Sequence, residues 1–173
     1  SDLKRVSTRA VRDGDEFIIN GSKTFITNAG HADLIVLVAR TCERDKAAGH
    51  KGISLIVLET ADLDGFERGR VLQKIGQHGQ DTRELHFTDM RVPVANLLGE
   101  EGRGFYHLME QLPQERLGLA CTAVGSAELA VKLGVEHAKS RELFDGTLMD
   151  LQNTRFVLAE CSTDVLAART LLD

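Results

Sequence analysis

The sequence has 173 residues, of which 21 are Lys or Arg and 26 are Asp or Glu, for a formal net charge of -5. At roughly 100 to 200 residues per domain it holds one domain or two small ones, and 42% hydrophobic with 27% charged residues excludes a disordered, collagen-like or disulfide-scaffold chain. The acidic balance offers no long-range attraction to a polyphosphate, which speaks against nucleic acid or an anionic membrane surface as partner.

Residues 5–92 read as strands. The stretch RVSTRAVRDGDEFIINGSKTFITN carries two turn dipeptides, Asp13-Gly14 and Asn20-Gly21, each between alternating, β-branched or aromatic residues, and predicts a three-strand meander with tight hairpins. Further strands are predicted at 33–40, 52–59, 69–75 and 84–92, and the nearly unbroken apolar runs at 34–39 and 53–58 predict strands covered on both faces. Short strands at this spacing suggest an antiparallel sandwich or barrel. Past Pro93 the period becomes helical, after a Gly-rich junction, Gly99, Gly102 and Gly104, that fits no nucleotide fingerprint and reads as a domain hinge. Leu117, Cys121, Val124 and Val131 continue one helical face, with a kink expected at Pro113. Leu151, Leu158, Val165 and Leu172 recur every seventh residue, with Thr154, Cys161 and Ala168 in the seam between them, as in a bundle helix. Two helices cannot cover each other's apolar stripes, so the bundle is incomplete within this chain. The fold class is α+β: an antiparallel β-barrel or sandwich followed by part of an up-down four-helix bundle.

Cys42, Cys121 and Cys161 lie far apart, with no C-x-x-C pair and no nearby His to complete a metal set. Each reads as a small buried apolar residue in a reducing compartment. No apolar run approaches a membrane span, and no charged-then-apolar leader opens the chain.

Four strings, NGSKTFITN (20–28), IGQHGQDTRELHFTDMRVP (75–93), LLGEEGRGF (97–105) and FYHLMEQLPQERL (105–117), stand in an order and at a spacing that resemble the acyl-CoA dehydrogenase family. The resemblance covers essentially the whole chain. It implies a middle β-domain over 1–98, the first helices of the C-terminal bundle over 99–173, FAD as cofactor, an acyl-CoA substrate, an electron-transfer flavoprotein as acceptor, and pairing of subunits into a homodimer or homotetramer. The implied location is bacterial cytoplasm or mitochondrial matrix.

The same resemblance implies roles residue by residue. Ser1 matches a serine near flavin and acyl-CoA, and Phe25, Ile26 and Thr27 match the aromatic-Ile-Thr triplet that packs on the isoalloxazine. An aromatic side chain can cover the ring face and a hydroxyl can donate to the reduced flavin; taken without their neighbours, Phe25 and Thr27 are ordinary strand residues. Glu115 matches the catalytic base of the long-chain and isovaleryl branch. A regular helix places Gln111, Gly118 and Leu119 beside it, none of them basic, and a solvated helix charge is the alternative reading. Arg116 matches an arginine near the CoA portion, and Thr41 a substrate-contacting position. Arg141, Phe144 and Gln152 match the motif that reaches the adenine dinucleotide part of the flavin in a neighbouring subunit. There Glu142 and Asp145 replace Lys and Gly, adding negative charge and removing a residue suited to positive φ. The resemblance implies α,β-desaturation of an acyl-CoA thioester to a trans-2-enoyl-CoA. A catalytically inert dimerisation or binding module, and a flavin oxidase or monooxygenase on the same scaffold, are the alternatives.

Overall fold

A computed structural model describes residues 2–42 and 49–173. Ser1 therefore lies outside the described residues. Two compact units divide the chain, Ser1–Met109 and Glu110–Asp173.

The first unit is one seven-stranded sheet. Its strands are β1 (Arg9–Asp13), β2 (Glu16–Thr27), β3 (Leu34–Arg40), β4 (Ile53–Glu59), β5 (Phe66–Val71), β6 (Thr82–Pro93) and β7 (Leu97–Leu98), in the order β5-β6-β2-β1-β3-β4-β7. All neighbours pair antiparallel except β1 and β3, which meet in parallel at Arg9 and Arg40, so the sheet is mixed and not purely antiparallel. Phe17 and Ile19 of β2, Leu37 and Ala39 of β3, Ile56 and Leu58 of β4, and Leu85, Phe87 and Met90 of β6 share one core. Strands from both halves of the sheet meet there, so the sheet packs on itself around alternating inward side chains.

Three sequence expectations change. Asp13-Gly14 does open a hairpin, with Asp13 opposite Glu16 and Gly14 at φ +64°. Asn20-Gly21 does not: it lies inside the twelve-residue β2 as a bulge, where Gly21 takes φ +141° and the register against β6 shifts. A Cβ at Gly21 would stand 2.8 Å from Thr8 Cα, so the residue answers a close backbone approach and not a turn. Asn20 braces the bulge by donating to Asp89 Oδ1 at 3.0 Å and accepting from the Asp89 amide at 2.9 Å. The strand expected at 69–75 lies earlier, at Phe66–Val71. β4 is buried along both faces, but Leu34 and Val36 of β3 are exposed, so β3 is covered on one face only at its start. The Gly-rich junction is fastened to β4: the Gly102 amide donates to the buried Ser54 hydroxyl at 2.8 Å, and Arg103 bridges Ile53.

The second unit holds most of α1 (Gly104–Ser140), a small hairpin of β8 (Glu142–Leu143) and β9 (Gly146–Thr147), and α2 (Gln152–Leu172). The helix assignment runs unbroken through Pro113. Leu158 packs on Gly134, and Arg169 donates twice to Glu128 at 2.8 and 2.7 Å, so α1 and α2 run antiparallel. Leu158, Val165 and Leu172 are half-buried along α2 as the seven-residue repeat predicts. Cys121 and Cys161 are exposed and Cys42 is half-buried, all three free, which corrects the expectation of buried cysteines. Leu117, Leu119, Leu129, Leu133, Phe156, Val157, Leu166 and Leu171 stay exposed, because two helices give each stripe only one neighbour. By length and composition alone α1 is long and apolar enough to cross a membrane, where the sequence reading found no apolar run of that length.

Candidate functional site

The C-terminal half of β2 departs from regular strand where the flavin-facing triplet was expected. The register against β6 slips between Lys23 and Ile26, and Phe25 sits inside this second bulge at φ +60°. That backbone region is uncommon for a bulky side chain and costs about 1–2 kcal/mol. Phe25 is 75% exposed, so little burial of its ring offsets the strain within this chain. Ile26 points the other way and packs against the sheet core, while Thr27 closes the strand, exposed, opposite Thr82. Phe25 and Thr27 are thus presented outward around an anchoring Ile26. Lys23, half-buried at the edge of the bulge, has its pKa pushed down by burial to about 8.

The turn after Thr27 is held on several sides. The Asn28 amide donates to the Asp81 carbonyl at 3.1 Å, and the His31 and Ala32 amides both donate to the Asn28 carbonyl. Asp81 Oδ2 accepts from the Gly30 amide at 2.8 Å and from Arg83 Nε at 3.0 Å. Partial desolvation opposes the Asp81 charge, yet the Gly30 and Arg83 donors outweigh it and hold the carboxyl below the ordinary aspartate range. From the other side Arg68 donates to the carbonyls of Ala29 at 3.0 Å and Ala32 at 3.1 Å, and to the Thr60 hydroxyl at 2.9 Å. A polar cleft of about 490 Å³ lies alongside, lined among others by Asn28, His31, Lys74, His78 and Asp81. Lys74 spends its ammonium on the Gln80 carbonyl at 2.6 Å, and a His78 ring nitrogen stands 2.9 Å from the Lys74 carbonyl. Sequence reading assigned nothing to Asp81, Arg83 or Arg68. The available signal was the D-T-R spacing, which puts Asp81 and Arg83 on one face of a strand edge.

Thr41 follows β3, and its hydroxyl is 2.8 Å from that of Ser54, the same group that accepts from Gly102. Its oxygen is therefore already engaged within the sheet unit.

In the second unit Glu115 and Arg116 lie on α1, exposed, and neither makes an ion pair or hydrogen bond through its side chain to a described residue. Gly118, one turn on, has open space around its Cα. Arg141 follows α1, exposed, with its carbonyl accepting from the Leu148 amide at 2.8 Å. Phe144 occupies the two-residue tip of the β8–β9 hairpin at φ +56°, 90% exposed. The left-handed position of this motif is therefore Phe144 and not Asp145, so replacing Gly by Asp at 145 removes no conformation the hairpin uses, which corrects the sequence expectation. Asp150 accepts from the Thr147 amide at 2.7 Å and the Thr147 hydroxyl at 3.0 Å, a capping box on the single 3-10 turn Leu148–Asp150 that precedes α2, where Gln152 is the first residue, exposed. Among the described residues no group of three or more His, Cys, Asp or Glu side chains is placed to hold a metal ion.

Comparison with known proteins agrees with this architecture. The family model for the acyl-CoA dehydrogenase middle domain matches residues 1–90, and that for the acyl-CoA dehydrogenase C-terminal domain matches residues 102–173. The chain belongs to the acyl-CoA dehydrogenase family. It is 43% identical over 173 residues to the mitochondrial long-chain specific acyl-CoA dehydrogenase of Sus scrofa, covering 100% of this chain and 40% of that protein. It is 42% identical over 171 residues to the cyclohex-1-ene-1-carbonyl-CoA dehydrogenase of Geobacter metallireducens, covering 99% of this chain and 44% of that protein. Among solved structures, an acyl-CoA dehydrogenase from Geobacillus kaustophilus superposes with a TM-score of 0.95 at 50% identity, over 99% of this chain and 45% of that one. The butyryl-CoA dehydrogenase of Megasphaera elsdenii gives 0.88 at 39% identity, over 98% of this chain and 43% of that one. The chain thus spans less than half the length of each of these relatives.

Proposed function

We propose that in the full-length protein this chain supplies the flavin-facing and base-bearing segments of an FAD-dependent acyl-CoA dehydrogenase. The observation that carries the reading is the Phe25–Thr27 segment: an exposed aromatic ring held in a left-handed bulge, with an exposed hydroxyl two residues on, in a chain of this family. Strain retained at an exposed ring is what a site for a flat aromatic ligand accounts for and packing within this chain does not. Phe144, more exposed and also left-handed, fits the same chemistry for the adenine dinucleotide part, with Arg141 before the hairpin as a guanidinium donor and Gln152 after it as an amide donor.

Bound FAD would accept the β-hydrogen as hydride. The remaining work falls to side chains. Glu115 takes the α-proton of the thioester, a step favoured where the site excludes water and the carboxylate is poorly solvated. Arg116 holds a phosphate or carbonyl of the CoA portion. Thr27 donates its hydroxyl to the flavin ring, and Phe25 covers one ring face. Ser1 and Thr41 contact the substrate, Ser1 also the flavin, and Ile26 anchors the triplet through the core. The product is a trans-2-enoyl-CoA, and an electron-transfer flavoprotein takes the electrons. Residues 1–98 form the middle β-domain and 99–173 the start of the helical domain, in a homodimer or homotetramer of a bacterial cytoplasm or mitochondrial matrix.

The test is an anaerobic titration of the purified full-length protein with acyl-CoA thioesters of increasing length. A bound flavin that bleaches with one of them, and is reoxidised by an electron-transfer flavoprotein faster than by oxygen, is the expected result. Absence of flavin, or a flavin that no acyl-CoA bleaches, overturns the reading, and reoxidation by oxygen alone selects an oxidase.

A further inference from the structure

Between the bulge at Phe25 and the turn at residues 28–32, only Ile26 and Thr27 keep regular strand pairing with β6. Arg83 of β6 and Asp81, the residue just before that strand, hold both ends of that short piece. Arg83 pairs through its backbone with Ile26, and its side chain reaches Asp81 at 3.0 Å. Asp81 holds the Asn28 amide through its carbonyl at 3.1 Å and the Gly30 amide through its carboxylate at 2.8 Å. The carboxylate is the centre of this clamp. Its side chain is only 15% exposed, and its Oδ2 stands where any Cβ on residue 30 would come within 2.8 Å, so Gly30 is part of the same device. Ala29, between the clamped amides, is buried, and its carbonyl is taken by Arg68 at 3.0 Å. A strained segment persists only where its surroundings over-determine it. Here the surroundings of the exposed Phe25 and Thr27 are this turn and its carboxylate.

We infer that Asp81 is a positioning residue: by fixing the Gly30 amide against Arg83 it sets where the Thr27 hydroxyl and the Phe25 ring are presented to the flavin. The inference rests on the flavin reading of the Phe25–Thr27 segment and adds to it a residue that touches neither cofactor nor substrate. Three further groups face the carboxylate or its turn: His31 on the same turn, Arg83 on β6 and Arg68 on β5.

The test compares wild type with Asp81→Ala, Asp81→Asn and Gly30→Ala in the full-length protein. Asp81→Asn keeps an oxygen for the Gly30 amide, and Gly30→Ala keeps the carboxylate but forces it and Arg83 away. Three quantities are read: amide hydrogen exchange over residues 28–32 in the flavin-free protein, the flavin dissociation constant, and the rate of flavin bleaching at saturating acyl-CoA beside the acyl-CoA dissociation constant. A misplaced reacting geometry lowers rates by about tenfold to a hundredfold. Asp81→Ala and Gly30→Ala are expected to speed exchange at residues 28–32 and to slow bleaching by that factor while leaving acyl-CoA affinity within about twofold; Asp81→Asn is expected to fall between them and wild type. If wild type binds flavin and bleaches, yet Asp81→Ala and Gly30→Ala match it in flavin affinity and bleaching rate, the positioning role is wrong while the flavin reading stands. If one of these two fails to fold, the other decides, and wild-type exchange and rates in it overturn the role. If wild type takes no flavin, the flavin reading falls and the positioning role with it.

Discussion

Replacing Phe25 with Asn separates the cost of its backbone from the value of its ring. Phe25 holds φ +60°, and a bulky L-residue in that region costs about 1–2 kcal/mol. Asn adopts the same region with its short polar side chain and recovers much of that cost. Against this stands the burial lost. Full burial of a Phe side chain is worth about 1.5–3 kcal/mol, and with 75% of the residue exposed about a quarter of that, near 0.5 kcal/mol, is forfeited. The net expectation for the flavin-free protein is a stability unchanged or raised by about 1 kcal/mol, where a buried Phe truncated to Ala costs about 3–5 kcal/mol. In the same variant flavin affinity falls, by up to about tenfold for loss of an aromatic contact worth about 0.5–1.5 kcal/mol. Urea unfolding of the flavin-free protein and fluorescence titration with FAD measure the two effects side by side. A loss of about 2 kcal/mol or more in the flavin-free protein would show that Phe25 packs structurally and that its strain is not held for a ligand.

Gly21→Ala brings a Cβ to 2.8 Å from Thr8 Cα at a residue with φ +141°, and is expected to destabilise by about 2 kcal/mol or more, read as a lowered urea midpoint. Half-buried Lys23, with its pKa pushed from 10.5 to about 8, binds fewer protons folded than unfolded between those values, so stability rises as pH climbs through that window. Discounted for the exposed part of the side chain, the rise is about 1–2 kcal/mol. Lys23→Met removes it and stabilises the protein at neutral pH, which paired urea melts near the two ends of the window will show. Reversing Glu128 and Arg169 singly breaks the bidentate pair across α1 and α2 and lowers the melting temperature, more so at low salt, while the double reversal restores it.

Much of the sheet was legible because its apolar runs are unambiguous. β4 carries a run that only a buried strand explains, the run in β3 shows the strand but not that Leu34 and Val36 stay exposed, and β6 was placed at 84–92 within its full span Thr82–Pro93. The Asn20-Gly21 dipeptide misled because positive φ serves a hairpin and a bulge alike. What decides is the partner: β6 is as long as β2 and pairs with it on both sides of Gly21, a non-local fact that no window over residues 16–27 contains. β5 was placed too late because FERGRV has little alternation, and its position is set by Phe66 stacking on Phe87 and by pairing with β6.

The site was legible through motif and not through local physics. Nothing in the string TFIT announces that Phe25 is left-handed and exposed, since the bulge follows from the register with β6. The Asp81 clamp joins positions fifty-one residues apart, Gly30 and Asp81, and only the folded sheet brings them together. In the hairpin after α1 the sequence pointed to 145 as the position that Gly would serve, whereas Phe144 takes the positive φ because a two-residue loop between Leu143 and Gly146 puts it first. The helices show the reverse case. Periodicity placed Val124, Val131, Leu158, Val165 and Leu172 on stripes that are half-buried, whereas Leu117, Cys121, Leu151 and Cys161 of the same stripes are exposed, two helices giving each stripe only one neighbour.

The central claim is that Glu115 removes the α-proton. It is tested most directly by mixing the full-length protein and its Glu115→Gln variant, both flavin-loaded and anaerobic, with an acyl-CoA that bleaches the wild type. The account predicts that the variant binds flavin and acyl-CoA with wild-type affinity and stays yellow, its bleaching slowed by about a hundredfold or more. If both bleach alike, the base lies elsewhere and Glu115 is a solvated charge on α1.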